Sequence, residues 1–103
     1  MDNCIFCKIV NKEIPADFVL ESEELVAFDD IHPKTPIHIL VVTKAHVASI
    51  KELENPELAG EMVMAAKGIA HEKNLDGYKL LFNVGREGGQ EIDHLHLHLM
   101  GGK

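Results

Sequence analysis

Three histidines, His94, His96 and His98, alternate with Leu95, Leu97 and Leu99 near the end of the chain. In an extended strand successive side chains point to opposite faces. The three imidazoles therefore share one face, about 7 Å apart along the strand, and the leucines anchor the other face. Such a row suits two chemistries. A His-x-His pair can place two nitrogens on one Zn²⁺. Alternatively, a neutral imidazole can attack phosphorus through Nε2 if its other nitrogen donates to a fixed acceptor. Histidines merely satisfied within a core are the plainest alternative. The chain has seven histidines in 103 residues.

The preceding segment, Gly85 to Asp93, carries glycines at 85, 88 and 89. Glycine lets backbone N–H groups approach an anion closely. Glycines are also common in ordinary hairpin loops, so only the adjoining histidine strand tips the reading toward phosphoryl or nucleotidyl chemistry. At the other end, Cys4-x-x-Cys7 is half of a tetrahedral zinc site. The missing ligands could come from His32, His38, His46, His71 or His94. A pair of reduced, partly buried cysteines is the alternative.

Composition bounds these options. At 103 residues the chain is read as one domain, residues 1–103. Ten basic against seventeen acidic residues give a formal charge of −7. That field repels nucleic acid and anionic membranes. An anionic ligand must therefore be held by local donors. No run approaches the ~20 apolar residues of a membrane span. The opening MDNCIFCKIVNKE lacks the basic and apolar regions of a signal peptide. The expectation is a cytoplasmic, reducing location, where a Cys-x-x-Cys pair more often serves metal or redox chemistry than a structural disulfide.

The elements that must position these residues follow from local pattern. Ile5 to Asn11 reads as a short helix, ended by Ile14-Pro15. Asp17–Glu21 and Leu25–Asp29 read as a hairpin about the polar turn Glu21–Glu24. Asp30–Pro36 is a loop with two prolines, and Ile37–Val42 a central strand buried on both faces. Asn55-Pro56-Glu57 starts a long helix. Its apolar face is Leu58, Met62, Val63, Ala66, Ile69 and Ala70, and it closes near Asp76-Gly77. Gly60 and Gly68 within it sit either on a free face or where a second helix comes close. Tyr78–Val84 and His94–Met100 are the last strands. The order predicts an α+β fold with an antiparallel sheet.

His94-Leu-His-Leu-His-Leu-Met100 resembles the signature of the histidine triad family. Similarity runs along essentially the whole chain: Cys4–Val10, Glu13-Ile14-Pro15-Ala16, Ala27–Ile31, Pro36-Ile37-His38, Lys44-Ala45-His46, Asn83 and Gly88-Gly89-Gln90 all occur in the family's order. The triad followed by Gly101-Gly102-Lys103 resembles most the Hint branch of purine nucleoside phosphoramidases. The resemblance implies a meander of five antiparallel strands with one long and one short N-terminal helix, and a homodimer joining two sheets into ten strands. It implies hydrolysis of purine nucleoside 5′-monophosphate conjugates through a covalent nucleotidyl-histidine, with no metal needed for the chemistry. By position, His96 is the nucleophile, His38 helps orient and polarise it, and His98 contacts phosphate and assists the leaving group. Asp30 takes the ribose hydroxyls. Ile5, Phe6, Ile9, Phe28 and Ile31 form the wall around the base, although pattern alone would place Phe6, Phe28 and Ile31 in the core. Asn83, Gly89, Gln90 and Glu91 lie at the phosphate. Some members of the family carry a structural Zn²⁺, whose ligands here would be Cys4, Cys7, His46 and His94. A dinucleoside polyphosphate hydrolase and a zinc-bearing, non-catalytic nucleotide-binding module are the competing readings.

Two positions depart from that pattern. Glu91 stands where the Hint branch often has serine, placing a negative charge beside a phosphate site. The branch usually continues past Gly-Gly-Lys with a tail, often containing Trp, that reaches a partner's active site; this sequence ends at Lys103 and has no Trp. Asp93 has no assigned role.

Overall fold

The structure is a computed structural model and describes residues 3–102. Lys103 and the first two residues of the chain lie outside the described residues. Helix α1 (Ile5–Val10) is followed by β1 (Phe18–Glu21), β2 (Leu25–Asp29), β3 (Ile37–Thr43), α2 (Pro56–Glu72), β4 (Tyr78–Leu81) and β5 (His96–Gly101). All strand pairs are antiparallel, in the order β1-β2-β3-β5-β4. The α+β class and five strands are as expected. The sheet departs from a plain meander at one place: after the α2 crossover β4 takes the edge, and β5 returns to lie between it and β3.

Local chemistry sets the helix ends. The Cys4 side chain caps α1, its Sγ accepting from the Cys7 N–H at 3.3 Å. Asn55 caps α2, its Oδ1 accepting from Glu57 and Leu58 N–H at 3.0 and 3.3 Å, and Pro56 occupies the first turn without wasting a donor. The helix stops before Asp76-Gly77 because Asn74 adopts a left-handed conformation (φ 59°).

Alternation sorts the sheet into two faces. Leu25, Ala27, Ile39, Val41, Leu95, Leu97 and Leu99 pack under α2, against Leu58, Met62, Ala66, Ile69 and Ala70. Burying each such leucine contributes roughly 1.5–3 kcal/mol. Val63, expected on this buried face, is 39% exposed, because the helix presents only a narrow stripe to the sheet. Gly60 and Gly68 are exposed, and no described residue approaches either. The opposite sheet face holds Val26, Phe28, Leu40 and Val42, covered in part by Phe6 and Ile9 of α1. His98 lies opposite Leu40 and His96 opposite Val42, so the histidines share this second face. The covering helix α1 is short, and beyond it the face stays open.

Two strand ends differ from expectation. β4 stops at Leu81, because the chain turns into the glycine loop and its one-turn 3₁₀ helix (Arg86–Gly88). β5 begins only at His96, and His94 precedes it: the His94 N–H bonds to the Ile92 carbonyl and Leu95 N–H to Val47, leaving the β3 ladder to start at His96. No helix among the described residues is long and apolar enough to cross a membrane.

Candidate functional site

Backbone groups fix the protonation pattern of the histidines. A carbonyl can only accept and an amide N–H can only donate. His96 Nδ1 lies 2.6 Å from the His94 carbonyl, so that nitrogen carries the proton and Nε2 is left with its lone pair. Burial pushes the His96 ring below its ordinary pKa, against the pull of the His94 carbonyl and the Asp30 charge. The ring is therefore a neutral imidazole near neutral pH. Phe6 packs edge-on against it, with ring centres 5.1 Å apart.

The neighbouring pair is wired differently. The Lys34 N–H donates to His38 Nδ1 at 3.0 Å, so the neutral His38 ring carries its proton on Nε2. That Nε2–H donates to His98 Nδ1 at 2.9 Å and lies 3.4 Å from Asp30 Oδ2. His98 must then hold its own proton on Nε2. Burial, with the nearby His96 and His38, pushes His98 down to about 4. His38 is also lowered, first by burial. His38 was expected to orient His96; it touches His98 instead, because its position opposite Met100 on β3 brings it beside the outer end of β5. The group that orients His96 is the His94 carbonyl.

These rings open into a cavity of about 360 Å³. His96 and His98 line it together with Ile5, Phe6, Ile9, Phe28, Asp30, Ile31, Asn83, Gly89 and Glu91, so nearly all the expected nucleotide-site residues meet here. Ile31 does so as an exposed side chain (83%), where apolar pattern alone would place it in the core. Asp30 Oδ1 accepts from the His32 N–H at 2.9 Å, the turn role its position suggests, while Oδ2 faces His38. Gly89 has φ 86°, a conformation that favours glycine, and a Cβ there would meet the Asn83 amide at 3.4 Å. Asn83 Nδ2 donates to the Gly88 carbonyl at 2.8 Å.

Gln90, expected at the phosphate, is buried and is not among the residues that line the cavity. Oε1 accepts from Gly85 N–H at 2.9 Å, and Nε2 donates to the Ala48 and Ile92 carbonyls at 2.7 and 3.0 Å. The amide is fully occupied in shaping the loop and has nothing left for a phosphate. Asp93 gains a role: its carboxylate forms a two-bond pair with Arg86 at 2.9 Å, outside the cavity. Sequence reasoning missed Asp29, His32, Lys34, Leu40, Leu81, Ile92 and Met100 in the lining. Met100 continues the period of His96 and His98 and was readable on that ground; Lys34 has no periodic signal.

A second cluster sits beside the first. Cys4 Sγ lies 3.1 Å and Cys7 Sγ 3.5 Å from His94 Nδ1, and Cys7 Sγ 3.2 Å from His46 Nδ1. One ligand atom from each lies within 4.8 Å of all the others. His94 Nε2 donates to the Thr43 carbonyl at 2.7 Å, which leaves the Nδ1 lone pair aimed at both sulfurs. Burial and the neighbouring Cys4 push the Cys7 thiol up to about 11, as expected where two thiols are crowded together. Two sulfurs and two imidazole lone pairs at these separations fit the edges of a tetrahedral metal site. The cluster could hold a metal ion. Of the other histidines weighed as ligands, His38 belongs to the cavity pair, and neither His32 nor His71 joins this cluster.

Residues 11–103 match the family model described as HIT domain. Protein HitA of Neisseria gonorrhoeae is 49% identical over 104 residues, covering 98% of this chain and 97% of that protein. The purine nucleoside phosphoramidase of Escherichia coli strain K12 is 38% identical over 106 residues, covering 99% and 89%. Among solved structures, a HIT family hydrolase from Clostridium thermocellum superposes with a TM-score of 0.96 at 37% identity, covering 100% of this chain and 93% of that one. A Zn-bound histidine triad family protein from Mycobacterium smegmatis superposes with a TM-score of 0.90 at 31% identity, covering 99% and 76%.

Proposed function

The chain belongs to the HIT domain family, and on that premise we propose that it hydrolyses purine nucleoside 5′-monophosphate conjugates, NMP–X, to NMP and X. The observation that carries the proposal is the His96 ring: a neutral imidazole in a cavity, with Nδ1–H tied to the His94 carbonyl and Nε2 free. Nε2 attacks phosphorus, the P–X bond breaks, and X departs with a proton. Water then attacks the same phosphorus and releases NMP and His96. Two displacements replace one difficult hydrolysis.

His98 donates its Nε2–H to the phosphoryl group and toward the departing X. Its low intrinsic basicity rises once an anion sits beside it. His38 acts through His98, as a positioning residue that sets its tautomer. Asp30 serves the ribose hydroxyls. Ile5, Phe6, Ile9, Phe28 and Ile31 receive the base, and Asn83, Gly89 and Glu91 border the phosphate. Cys4, Cys7, His46 and His94 would hold a structural Zn²⁺, which supplies a fixed cross-link between α1 and the segment before β5.

A homodimer joined into one ten-stranded sheet completes the reading. It is supported by the open edge strand β4, where Tyr78, Leu80 and Leu81 are 37–40% exposed, and by exposed Val63 and Met64 on α2. A side-by-side assay tests the substrate class. An amine nucleoside phosphoramidate should be turned over far faster than a diadenosine polyphosphate. The opposite ranking transfers the chain to the competing hydrolase class, and binding without turnover of either leaves only a nucleotide-binding module.

A further inference from the structure

The cavity is acidic, and its histidines do not offset that charge. The substrate proposed above is an anion at phosphorus. The cavity lining contains three carboxylates, those of Asp29, Asp30 and Glu91, and the whole chain carries a formal charge of −7. The imidazoles facing the phosphate contribute hydrogen bonds rather than charge: His98 accepts from His38 at Nδ1 and is therefore neutral, and the lone pair that His96 keeps on Nε2 leaves that ring neutral as well. Arg86, the one arginine in the sequence, is consumed by Asp93 outside the cavity. One Lys or Arg lines the cavity: Lys34.

Lys34 is also placed by the site's own hydrogen bonds. Its main-chain N–H is the donor that fixes His38, so its Cα is held beside the His38–His98 pair. Among the described residues no carboxylate lies within ion-pair distance of its ammonium. Its positive charge reaches both rings of the pair, disfavouring their protonation. A flexible, strongly hydrated ammonium on the rim suits capture of a phosphoryl oxygen as a point charge.

We propose that Lys34 is the cation that pairs with the substrate's phosphoryl oxygen, and the residue that makes this acidic cavity prefer a nucleotide over the bare nucleoside. The inference rests on the nucleotide reading above and adds to it a residue that neither the triad nor the glycine loop supplies. The main-chain bond to His38 and the side-chain charge are separable, because substitution at Lys34 removes only the second.

Calorimetric titration of the full chain with adenosine 5′-monophosphate and with adenosine tests it, using wild type, Lys34→Gln, Lys34→Arg and Lys34→Glu. Lys34→Gln should weaken the monophosphate roughly tenfold, the size of one charge-assisted hydrogen bond, and leave adenosine unchanged. Lys34→Arg should restore most of the loss, Lys34→Glu should deepen it, and added salt should narrow the gap between wild type and Lys34→Gln. Unchanged monophosphate affinity in Lys34→Gln, or equal weakening of both ligands, overturns the assignment. Wild-type protein that binds the two ligands equally well overturns the nucleotide reading itself.

A ligand-free readout is independent of folding effects on affinity. His98 faces His96, His38, Asp30 and Lys34. Removing the ammonium should raise the midpoint of the His98 ring titration, followed by NMR; an unmoved midpoint puts the charge elsewhere and counts against the proposal.

Discussion

The two histidine clusters, each gathered from distant parts of the chain and meeting on the run His94–His98, differ in what their rings present. Cys4, Cys7, His46 and His94 form one; Asp30, His38 and His98 form the other, and both bring potential metal ligands within 4.8 Å. What separates them is the hydrogen bond on the far nitrogen of each ring. In the first, the Thr43 carbonyl takes the His94 proton on Nε2, so a lone pair points at two sulfurs. In the second, the Lys34 amide occupies His38 Nδ1, so a proton rather than a lone pair sits between His38 and His98. Imidazoles serve in both, beside two thiols in the first and a carboxylate in the second; the backbone partner sets whether a ring turns a lone pair or an N–H toward the rest of its cluster. His96 lies between them, and the His94 carbonyl joins its tautomer to the metal-capable side.

The comparison can be broken at each ring. The largest effect is expected at His96, the proposed nucleophile. His96→Ala should lower turnover by about 10³-fold or more while nucleotide binding and metal content persist; near-native turnover removes His96 from its role. Next, Cys4→Ser with Cys7→Ser should abolish metal content, measured by elemental analysis, and lower unfolding free energy by about 3 kcal/mol. A wild-type protein that purifies without zinc and is unaffected by chelator reduces that cluster to two thiols. His38→Gln should lower kcat roughly 10- to 100-fold, as loss of an orienting partner does, with metal content unchanged. Metal loss in that variant would erase the distinction between the clusters.

The smallest effect is on stability against pH. His98 is lowered in the folded chain to about 4, and His38 is lowered as well, so the unfolded chain binds protons first on acidification. This stabilisation is present above the ordinary imidazole range near 6.5 and is lost as pH falls from there toward about 4. The urea midpoint should decline across that window, and His98→Asn should flatten the decline. A midpoint rising on acidification contradicts the assigned direction.

Local pattern revealed much of this. The His-Leu alternation gave the two faces of β5, and Asn55-Pro56 gave the start of α2. Of the glycine loop, Gly89 reaches the cavity, and Cys4-x-x-Cys7 joins His46 and His94 in a cluster that could hold a metal ion. The rest depended on partners far apart in sequence. Gln90 reads as a polar loop residue beside a phosphate site, yet its amide is spent on Gly85, Ala48 and Ile92. His38 reads as a partner for His96, yet strand register sets it against His98. Asp93 looked like an unexplained charge until Arg86 folded back onto it. Lys34 carried no signal because a lysine between prolines resembles any solvated loop residue. Side-chain periodicity identifies a face; it does not identify the hydrogen-bond partner reached across it.

The central claim is that His96 Nε2 becomes bonded to phosphorus during turnover. Mass spectrometry of enzyme acid-quenched in a single turnover of a nucleoside phosphoramidate tests it most directly. A transient gain of one nucleotidyl group is expected on a peptide containing residues 94–100, absent in His96→Ala. Full turnover with no adduct at any time, or an adduct that persists in His96→Ala, contradicts it.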